Sequence, residues 1–231
     1  MKIKILSWNI WYDGDFDKIS KFLSEFNANI VGLGEVVPDD PTRDTISFMH
    51  KLGYQHILAP VLTIQKDGRT MSNALFSKYP IIKSKIHKLP DAKTDRRNAI
   101  QADIDVKGKI IHVFMTHLLH THQKPDPIQE SQVESLIKIL TKENTIVMGD
   151  FNATPESVAI KKMRENLVDV ELKPVSTLNP NLFDCPNCDP KIIPSTRLDY
   201  IFVSQDIKIE SLKIHEANGS DHLAISTLIE L

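Results

Sequence analysis

Residues 145–152 of the chain read Thr145-Ile146-Val147-Met148-Gly149-Asp150-Phe151-Asn152. Its apolar residues predict a short buried strand that runs directly into an acid and an amide. Side chains two positions apart point the same way in an extended chain, so Asp150 and Asn152 are expected to face the same water or phosphate. The stretch therefore predicts a buried strand that ends in chemistry-bearing side chains.

The same pattern, an apolar run that leads into a polar or acidic residue, recurs along the chain. Asn9 follows the apolar run 3–8, Glu35 closes the run 30–34, Asp199 lies inside the run 198–203, and Asp221-His222 come directly before the last predicted strand. A carboxylate at a strand end is often a turn former or a cap, and that alternative applies to each of them. It fits Glu35 and Asp199 least well, because an unpartnered charge among apolar residues is costly.

The residue types at these strand ends favour two kinds of chemistry. Carboxylate and amide oxygens suit Mg²⁺ or Mn²⁺, so a hard divalent cation is one predicted partner. A buried acid such as Asp199 can hold a neighbouring imidazole such as His222 charged and oriented, as the acid of a hydrolytic triad does. His117, at the end of the run 114–117, is another candidate donor.

Strand patterns outnumber helix patterns along the sequence. Apolar alternation and β-branched residues predict strands at residues 2–10, 30–37, 71–77, 81–87, 97–106, 109–117, 145–148, 198–203, 208–215 and 223–231. Helical spacing predicts helices at residues 17–26, 42–52, 128–140 and from Pro155 onward, with Thr154 as the cap of the last one. These are too many strands for a doubly wound sheet and too many helices for a simple sandwich. The pattern predicts an α+β domain spanning residues 1–231, in which helices cover two packed sheets, with 167–195 as a long surface loop.

Composition excludes several classes of protein. The 231 residues are 41% hydrophobic and 25% charged, which is enough apolar material for a packed core. The formal net charge of −2 argues against a protein that coats nucleic acid nonspecifically. The N-terminal apolar run is too short for a signal peptide, and no window approaches the roughly 18 apolar residues of a membrane helix. A cytoplasmic protein without membrane insertion is expected, with its two cysteines, Cys185 and Cys188, as surface thiols.

Several short motifs follow one another along the chain: Ser7-Trp8-Asn9, Gly34-Glu35, Asn73-Ala74-Leu75-Phe76-Ser77-Lys78-Tyr79-Pro80, Thr116-His117-Leu118, Gly149-Asp150-Phe151-Asn152, Arg197-Leu198-Asp199-Tyr200 and Ser220-Asp221-His222. Taken in this order, they resemble the motifs of the endonuclease/exonuclease/phosphatase superfamily. This superfamily includes deoxyribonuclease-I-like nucleases, abasic-site endonucleases, neutral sphingomyelinases, deadenylases, tyrosyl-DNA phosphodiesterases and inositol polyphosphate phosphatases. The resemblance covers essentially the whole chain and implies a four-layer α/β/β/α sandwich of two mixed sheets flanked by helices.

The resemblance also implies a role for each of these polar residues. Asn9, Glu35 and Asp221 would surround a Mg²⁺ or Mn²⁺ ion, with Glu35 as the principal ligand. Asp150 would orient or deprotonate the attacking water, and Asn152 would position that water or a phosphate oxygen. His222, paired with Asp199, would stabilise the transition state, and His117 would contact the phosphate.

The implied reaction is metal-dependent hydrolysis of a phosphoric ester. A phosphodiesterase or nuclease acting on a nucleic-acid or nucleotide-type substrate is the first prediction. A small-headgroup phosphatase, a sphingomyelinase-like lipid phosphodiesterase and an inactive binding module of the same fold are the alternatives. Abasic-site endonucleases usually carry an acid or amide where this chain has Trp11, and a tyrosine in place of His117, so abasic DNA is a less favoured substrate.

Several other residues have both a functional and a structural interpretation. Arg97 and Asn73 are candidate phosphate contacts or ordinary strand residues, and Trp11 is a stacking surface or a packed wall. The run His117-Leu118-Leu119-His120-Thr121-His122 lacks the aspartate of the metallo-β-lactamase-like zinc motif. Cys185-Pro186-Asn187-Cys188 has metal-ligand spacing, but the sequence has no second cysteine pair. Zinc is therefore the less favoured interpretation of each segment, and residues 120–127 and 167–195 are expected to shape substrate choice.

Overall fold

Two six-stranded sheets form the framework of the computed structural model, which describes residues 1–91, 96–122, 124, 126–171, 173, 175–185 and 196–231. The first sheet has the strand order β11-β12-β1-β2-β4-β3. Its strands are β1 (Lys2–Asn9), β2 (Ile30–Val36), β3 (Gln55–Thr63), β4 (Thr70–Ser77), β11 (Lys208–His215) and β12 (Ala224–Glu230).

The second sheet has the order β5-β6-β7-β8-β10-β9. Its strands are β5 (Ile81–Lys88), β6 (Asn98–Val106), β7 (Lys109–His117), β8 (Thr145–Asp150), β9 (Val168–Asp169) and β10 (Asp199–Val203). Each sheet is mixed, because β1 pairs with β2 and β7 pairs with β8 in parallel, while the other pairings are antiparallel.

Three apolar clusters define four layers. Side chains from both sheets, such as Ile5, Met115 and Met148, fill the space between the sheets. Helices α1 (Phe16–Phe26) and α2 (Thr45–Lys51) cover the outer face of the first sheet. Helices α3 (Pro127–Ile137) and α4 (Val158–Asn166) cover the outer face of the second. This arrangement confirms the predicted α+β four-layer sandwich.

Most of the predicted elements are present, and the exceptions have physical reasons. Strand β3 was not predicted, because Pro60 interrupts its sequence pattern. In the structure Pro60 lies at a register shift of an edge strand, a position where the missing N–H is tolerated. The cap of α4 is Ser157 rather than Thr154, and its side chain accepts from the Ile160 N–H.

The predicted surface loop 167–195 is only partly described, because residues 172, 174 and 186–195 lie outside the described residues. Within it, β9 adds a short edge strand beside β10, and Leu178 forms a bridge with His222. Cys185 is disulfide-bonded, so the expected surface thiol at this position is wrong. Cys188 lies outside the described residues. No helix of the described chain is long and apolar enough to cross a membrane.

Gly149 allows β7 and β8 to approach closely at the end that carries Asp150. Its φ is +142°, and a Cβ at this position would lie 1.8 Å from the carbonyl oxygen of Thr116. We expect Gly149→Ala to lower the free energy of unfolding by about 3 kcal/mol, because the backbone would have to shift within a packed sheet. Urea denaturation measures this loss.

The matched control for that substitution is Gly108→Ala. Gly108 also has a positive φ, +92°, but nothing lies within 4 Å of its would-be Cβ. The free energy of unfolding of Gly108→Ala should fall by only about 1–2 kcal/mol, which is the cost of a positive φ for alanine. Equal losses in the two variants would show that the close approach of β7 and β8 contributes nothing.

Candidate active site

Every second side chain of each central strand points into the space between the sheets. At the end of several of these strands, the last side chain on that face is polar. Ile3 and Ile5 of β1 are followed on the same face by Asn9. Met115 of β7 is followed in the same way by His117, and Met148 of β8 by Asp150. The strand register therefore carries polar groups to one edge of the sandwich.

The pairing within the second sheet brings three of these groups side by side. Asp150 is the register partner of His117 on β7 and of Asp199 on β10. All three side chains are nearly or fully buried. Such a polar cluster within an apolar core requires partners for its charges.

Glu35 reaches the same place by a break in strand regularity. The register between β2 and β4 shifts between Leu33 and Val36, and Glu35 has a φ of +61°. A bulge with a left-handed residue re-aims a side chain that simple alternation would send toward the helices. Its Oε1 accepts a hydrogen bond of 3.0 Å from Asn9 Nδ2, and its Oε2 accepts one of 3.1 Å from the Tyr12 backbone N–H.

Hydrogen bonds hold residues 220–222 against the end of β1. The Ser220 hydroxyl donates to the Asn9 carbonyl at 2.6 Å and accepts from the His222 backbone N–H at 3.1 Å. The Trp8 indole N–H donates to the His222 carbonyl at 2.9 Å. These bonds fix where His222 enters the site.

His222 bridges two carboxylates of the second sheet. Its Nδ1 lies 2.8 Å from Asp199 Oδ2, and its Nε2 lies 3.8 Å from Asp150 Oδ2. Burial alone would lower the pKa of His222, but the carboxylates of Asp199 and Asp150 raise it well above its usual range. The imidazole is therefore held as a charged donor whose orientation is set by Asp199.

Asp150 is the point where the donors converge. Its Oδ2 lies 3.1 Å from Asn9 Nδ2 and 3.5 Å from His117 Nε2, besides its approach to His222. Burial raises the pKa of Asp150 to about 7, although the nearby His222 acts in the opposite direction. Burial, with Arg97 nearby, holds the pKa of His117 well below its usual range, so this imidazole is neutral. The site thus pairs one charged and one neutral imidazole with a carboxylate that readily accepts a proton.

Asn152 is held by the backbone rather than by an extended strand. Strand β8 ends at Asp150, and Asn152 has a φ of +49°, so the extended geometry expected through residue 152 is wrong. Its N–H donates to Asp150 Oδ1 at 2.8 Å, and its side-chain amide donates to the Leu118 carbonyl at 3.1 Å. The Gln129 amide in turn donates to the Asn152 carbonyl at 2.8 Å.

A cavity of about 550 Å³ opens over these groups. Most of the predicted site residues line it, whereas Asp199 contacts it only through His222, and Trp11 and Asn73 are not among the described residues of its wall. Asn73 is fully buried, and its amide donates to Asn98 Oδ1 at 3.2 Å. The predicted site residues in the wall are Asn9, Glu35, Arg97, His117, Asp150, Asn152, Asp221 and His222.

The carboxylates of Glu35 and Asp221 fit a hard divalent cation. Both line the cavity, and burial together with the charge of Glu35 raises the pKa of Asp221 to about 6. Two neighbouring carboxylates that repel each other are stabilised by a cation with oxygen preference. Asn9 Oδ1 accepts from the Trp11 N–H at 3.0 Å, while its amide nitrogen faces the carboxylates.

A second group of ligand-type atoms lies deeper. The side chains of Asp150, Asp199 and His222 offer donor atoms within 4.8 Å of one another. Because Asp199 Oδ2 already pairs with His222 Nδ1, two of the three donors of this group are engaged with each other.

The site contains residues that the sequence did not single out. Tyr12 lines the cavity and holds Glu35 through its N–H, and Asn179 donates to the Ser220 carbonyl at 3.0 Å. Gln129 holds Asn152 from helix α3. Each of these contacts uses a backbone N–H or carbonyl on one side, which every residue type supplies, so the sequence had no signal for them.

A family model described as Endonuclease/Exonuclease/phosphatase family matches residues 6–222. A search of curated proteins finds no match.

Solved structures share the fold. An endonuclease/exonuclease/phosphatase from Beutenbergia cavernae DSM 12333 is similar with a TM-score of 0.82, at 17% identity over 100% of this chain and 72% of that one. The human Nocturnin catalytic domain with bound sulfate anion is similar with a TM-score of 0.77, at 19% identity over 99% of this chain and 94% of that one. D. rerio TDP2 complexed with single strand DNA product is similar with a TM-score of 0.74, at 16% identity over 100% of this chain and 99% of that one. At these identities the likeness concerns the fold.

Proposed function

The chain belongs to the endonuclease/exonuclease/phosphatase family of phosphoric ester hydrolases, and from this premise we propose that it is a divalent-metal-dependent phosphodiesterase with a nucleotide-type substrate. One observation carries the proposal. Asp150 Oδ2 lies within 3.8 Å of donors from Asn9, His117 and His222 at the base of a cavity. A proton acceptor among fixed donors is what hydrolysis of a phosphate ester by water requires.

Asp150 is the proposed general base. Its pKa of about 7 is matched to taking a proton from water near neutral pH. The bond from the Asn152 N–H to Oδ1 fixes the carboxylate plane and leaves Oδ2 toward the donors and the cavity. The attacking water would lie against Oδ2, opposite the leaving group.

His222 and His117 are the proposed donors to the non-bridging phosphate oxygens. Asp199 fixes the charged His222 imidazole through Nδ1, so Nε2 is the atom that faces the phosphate. His117 contributes a neutral N–H from the adjacent strand. Fixed donors of this kind stabilise the charge that develops on oxygen in the transition state.

Glu35 and Asp221 would hold Mg²⁺ or Mn²⁺, which supplies charge neutralisation at the phosphate when it is bound. The family resemblance places Asn9 among the ligands as well. Its oxygen already accepts the Trp11 N–H and its nitrogen donates to Glu35 and Asp150, so we assign it the positioning of these two carboxylates.

The lining of the cavity favours a substrate with few phosphates. Arg97 is the single lysine or arginine among the described lining residues, which include four carboxylates. A long polyanion is usually held by many cationic side chains. An apolar wall formed by Leu62, Ile64 and Met71 suits a base or ring beside the phosphate.

The test is hydrolysis of a panel of phosphate esters with and without EDTA. We expect turnover of bis-p-nitrophenyl phosphate to exceed that of p-nitrophenyl monophosphate, plasmid DNA and sphingomyelin. EDTA should abolish this turnover, and excess Mg²⁺ or Mn²⁺ should restore it, because the carboxylates of Glu35 and Asp221 would otherwise repel the substrate phosphate.

The other outcomes contradict the proposal in distinguishable ways. Faster cleavage of the monoester would indicate a phosphatase, and faster cleavage of sphingomyelin a lipid phosphodiesterase. The absence of chelator-sensitive turnover on every substrate would indicate a binding module with this fold.

A further inference from the structure

Two segments that carry ligand-type residues meet at the rim of the cavity. His120 and His122 lie in the chain that follows β7, and Cys185 lies in the segment 175–185. All three line the cavity. Neither segment has enough donors for a metal site by itself, and the fold brings them together across a sequence separation of 63 residues.

Two of the three distances between the donor atoms match those around a tetrahedrally coordinated metal ion. His120 Nε2 lies 3.2 Å from His122 Nδ1, and His122 Nδ1 lies 3.5 Å from Cys185 Sγ. Zinc–nitrogen and zinc–sulfur bonds of about 2.05 and 2.3 Å imply edges of about 3.3 Å for N···N and about 3.6 Å for N···S in a tetrahedron. The three atoms all lie within 4.8 Å of one another.

We propose that His120, His122 and the reduced form of Cys185 bind one Zn²⁺ ion, or another borderline transition metal, at the rim of the cavity. Two imidazoles and a thiolate are the donor set that such cations prefer over Mg²⁺. The fourth position of the tetrahedron would take a water. This site shares no donor with Glu35, Asp221 or the group formed by Asp150, Asp199 and His222.

The state of Cys185 makes the site dependent on redox conditions. In the structure its sulfur is part of a disulfide. A dithiol reductant would transfer two electrons and two protons to that disulfide, giving two thiols, and would itself become a disulfide. Metal binding would then release the Cys185 thiol proton to solvent as the thiolate coordinates.

Metal binding at this rim would link two walls of the cavity. Phe183, two residues before Cys185, packs edge-to-face on the His222 ring with centroids 6.3 Å apart. A metal that joins Cys185 to His120 and His122 therefore fixes the segment beside the charged imidazole. Metal and thiol state would then control the width of the substrate entrance.

The experiment is a Co²⁺ titration of untagged protein, reduced with a phosphine, in saturating Mg²⁺. We expect one equivalent of Co²⁺ to bind with a thiolate-to-cobalt charge-transfer band in the near ultraviolet, and Zn²⁺ to remove that band. Unreduced protein should lack it, because a disulfide sulfur cannot coordinate as a thiolate.

Variants assign the donors. Cys185→Ser should lose the band, and His120→Ala and His122→Ala should each weaken Co²⁺ binding by at least about tenfold. His50→Ala is the matched control and should keep the band, because His50 and His56 form an imidazole pair 2.8 Å apart that belongs to no described group of three metal-type donors. Glu35→Gln should also keep it, which separates this site from the hydrolytic metal.

Either of two results would overturn the inference. The first is a reduced wild-type protein that binds Co²⁺ without the charge-transfer band. The second is a His122→Ala or Cys185→Ser variant that binds with unchanged affinity and spectrum. Both are read from binding alone, so they are independent of whether the protein hydrolyses phosphodiesters.

Discussion

Asp150→Asn should lower the turnover of bis-p-nitrophenyl phosphate by about 10³-fold or more while the protein stays folded. The amide preserves the shape of the carboxylate and its bond from the Asn152 N–H, but it cannot take a proton from water. Initial rates at saturating Mg²⁺ measure the loss.

The folded state should tolerate this change well. Burial raises the pKa of Asp150, which means that the buried carboxylate is costly to the fold, and an amide avoids this cost. The amide nitrogen that replaces Oδ2 would face the donors of Asn9, His117 and His222, and this offsets part of the gain. Urea denaturation should therefore give an unfolding free energy within about 2 kcal/mol of the wild type. Asp17→Asn, at an exposed position in the first turn of α1, is the control and should keep full activity. If Asp150→Asn kept wild-type turnover, Asp150 would not be the general base.

His222→Gln should lower turnover by about 10²–10³-fold, the usual cost of removing one transition-state donor. Glutamine has a similar reach but carries no charge, and it cannot be held charged by Asp199 as the imidazole is. We expect kcat to fall more than KM rises, because the donor acts mainly in the transition state.

The partner substitution Asp199→Asn checks the same argument. It removes the group that orients and charges His222, so it should cost nearly as much as His222→Gln, and the double variant should lose little more than either single one. Asp103→Asn is the matched control, since Asp103 pairs with His112 at 2.7 Å outside the cavity. Fully additive losses in the double variant would show that Asp199 and His222 act independently.

Much of the fold was predictable because strand periodicity is a local property. The alternation along β1, β7 and β8 sends every second residue between the sheets, which is why Asn9, His117 and Asp150 end on one edge. Strand β3 was hidden because Pro60 is a poor strand residue except at the kind of edge irregularity it occupies. The start of α4 was displaced because Thr154 and Ser157 are both good caps, and only the folded chain selects between them.

The site was predictable in its residue types and less so in its geometry. Glu35 is aimed by a register shift and a positive φ, which no apolar pattern indicates. Asn152 leaves the strand instead of continuing it. The meeting of His122 with Cys185 joins two irregular segments, for which the sequence has no periodic signal.

The hydrogen bond from Asn9 to Asp150 crosses from one sheet to the other, and the bond from His222 to Asp199 joins the segment before β12 to the second sheet. Neither sheet alone carries all the residues of the site. A refolding intermediate that has formed its strands but has not yet docked its two halves would give a native-like far-ultraviolet spectrum and no turnover. The return of turnover during refolding therefore reports that the two sheets have docked.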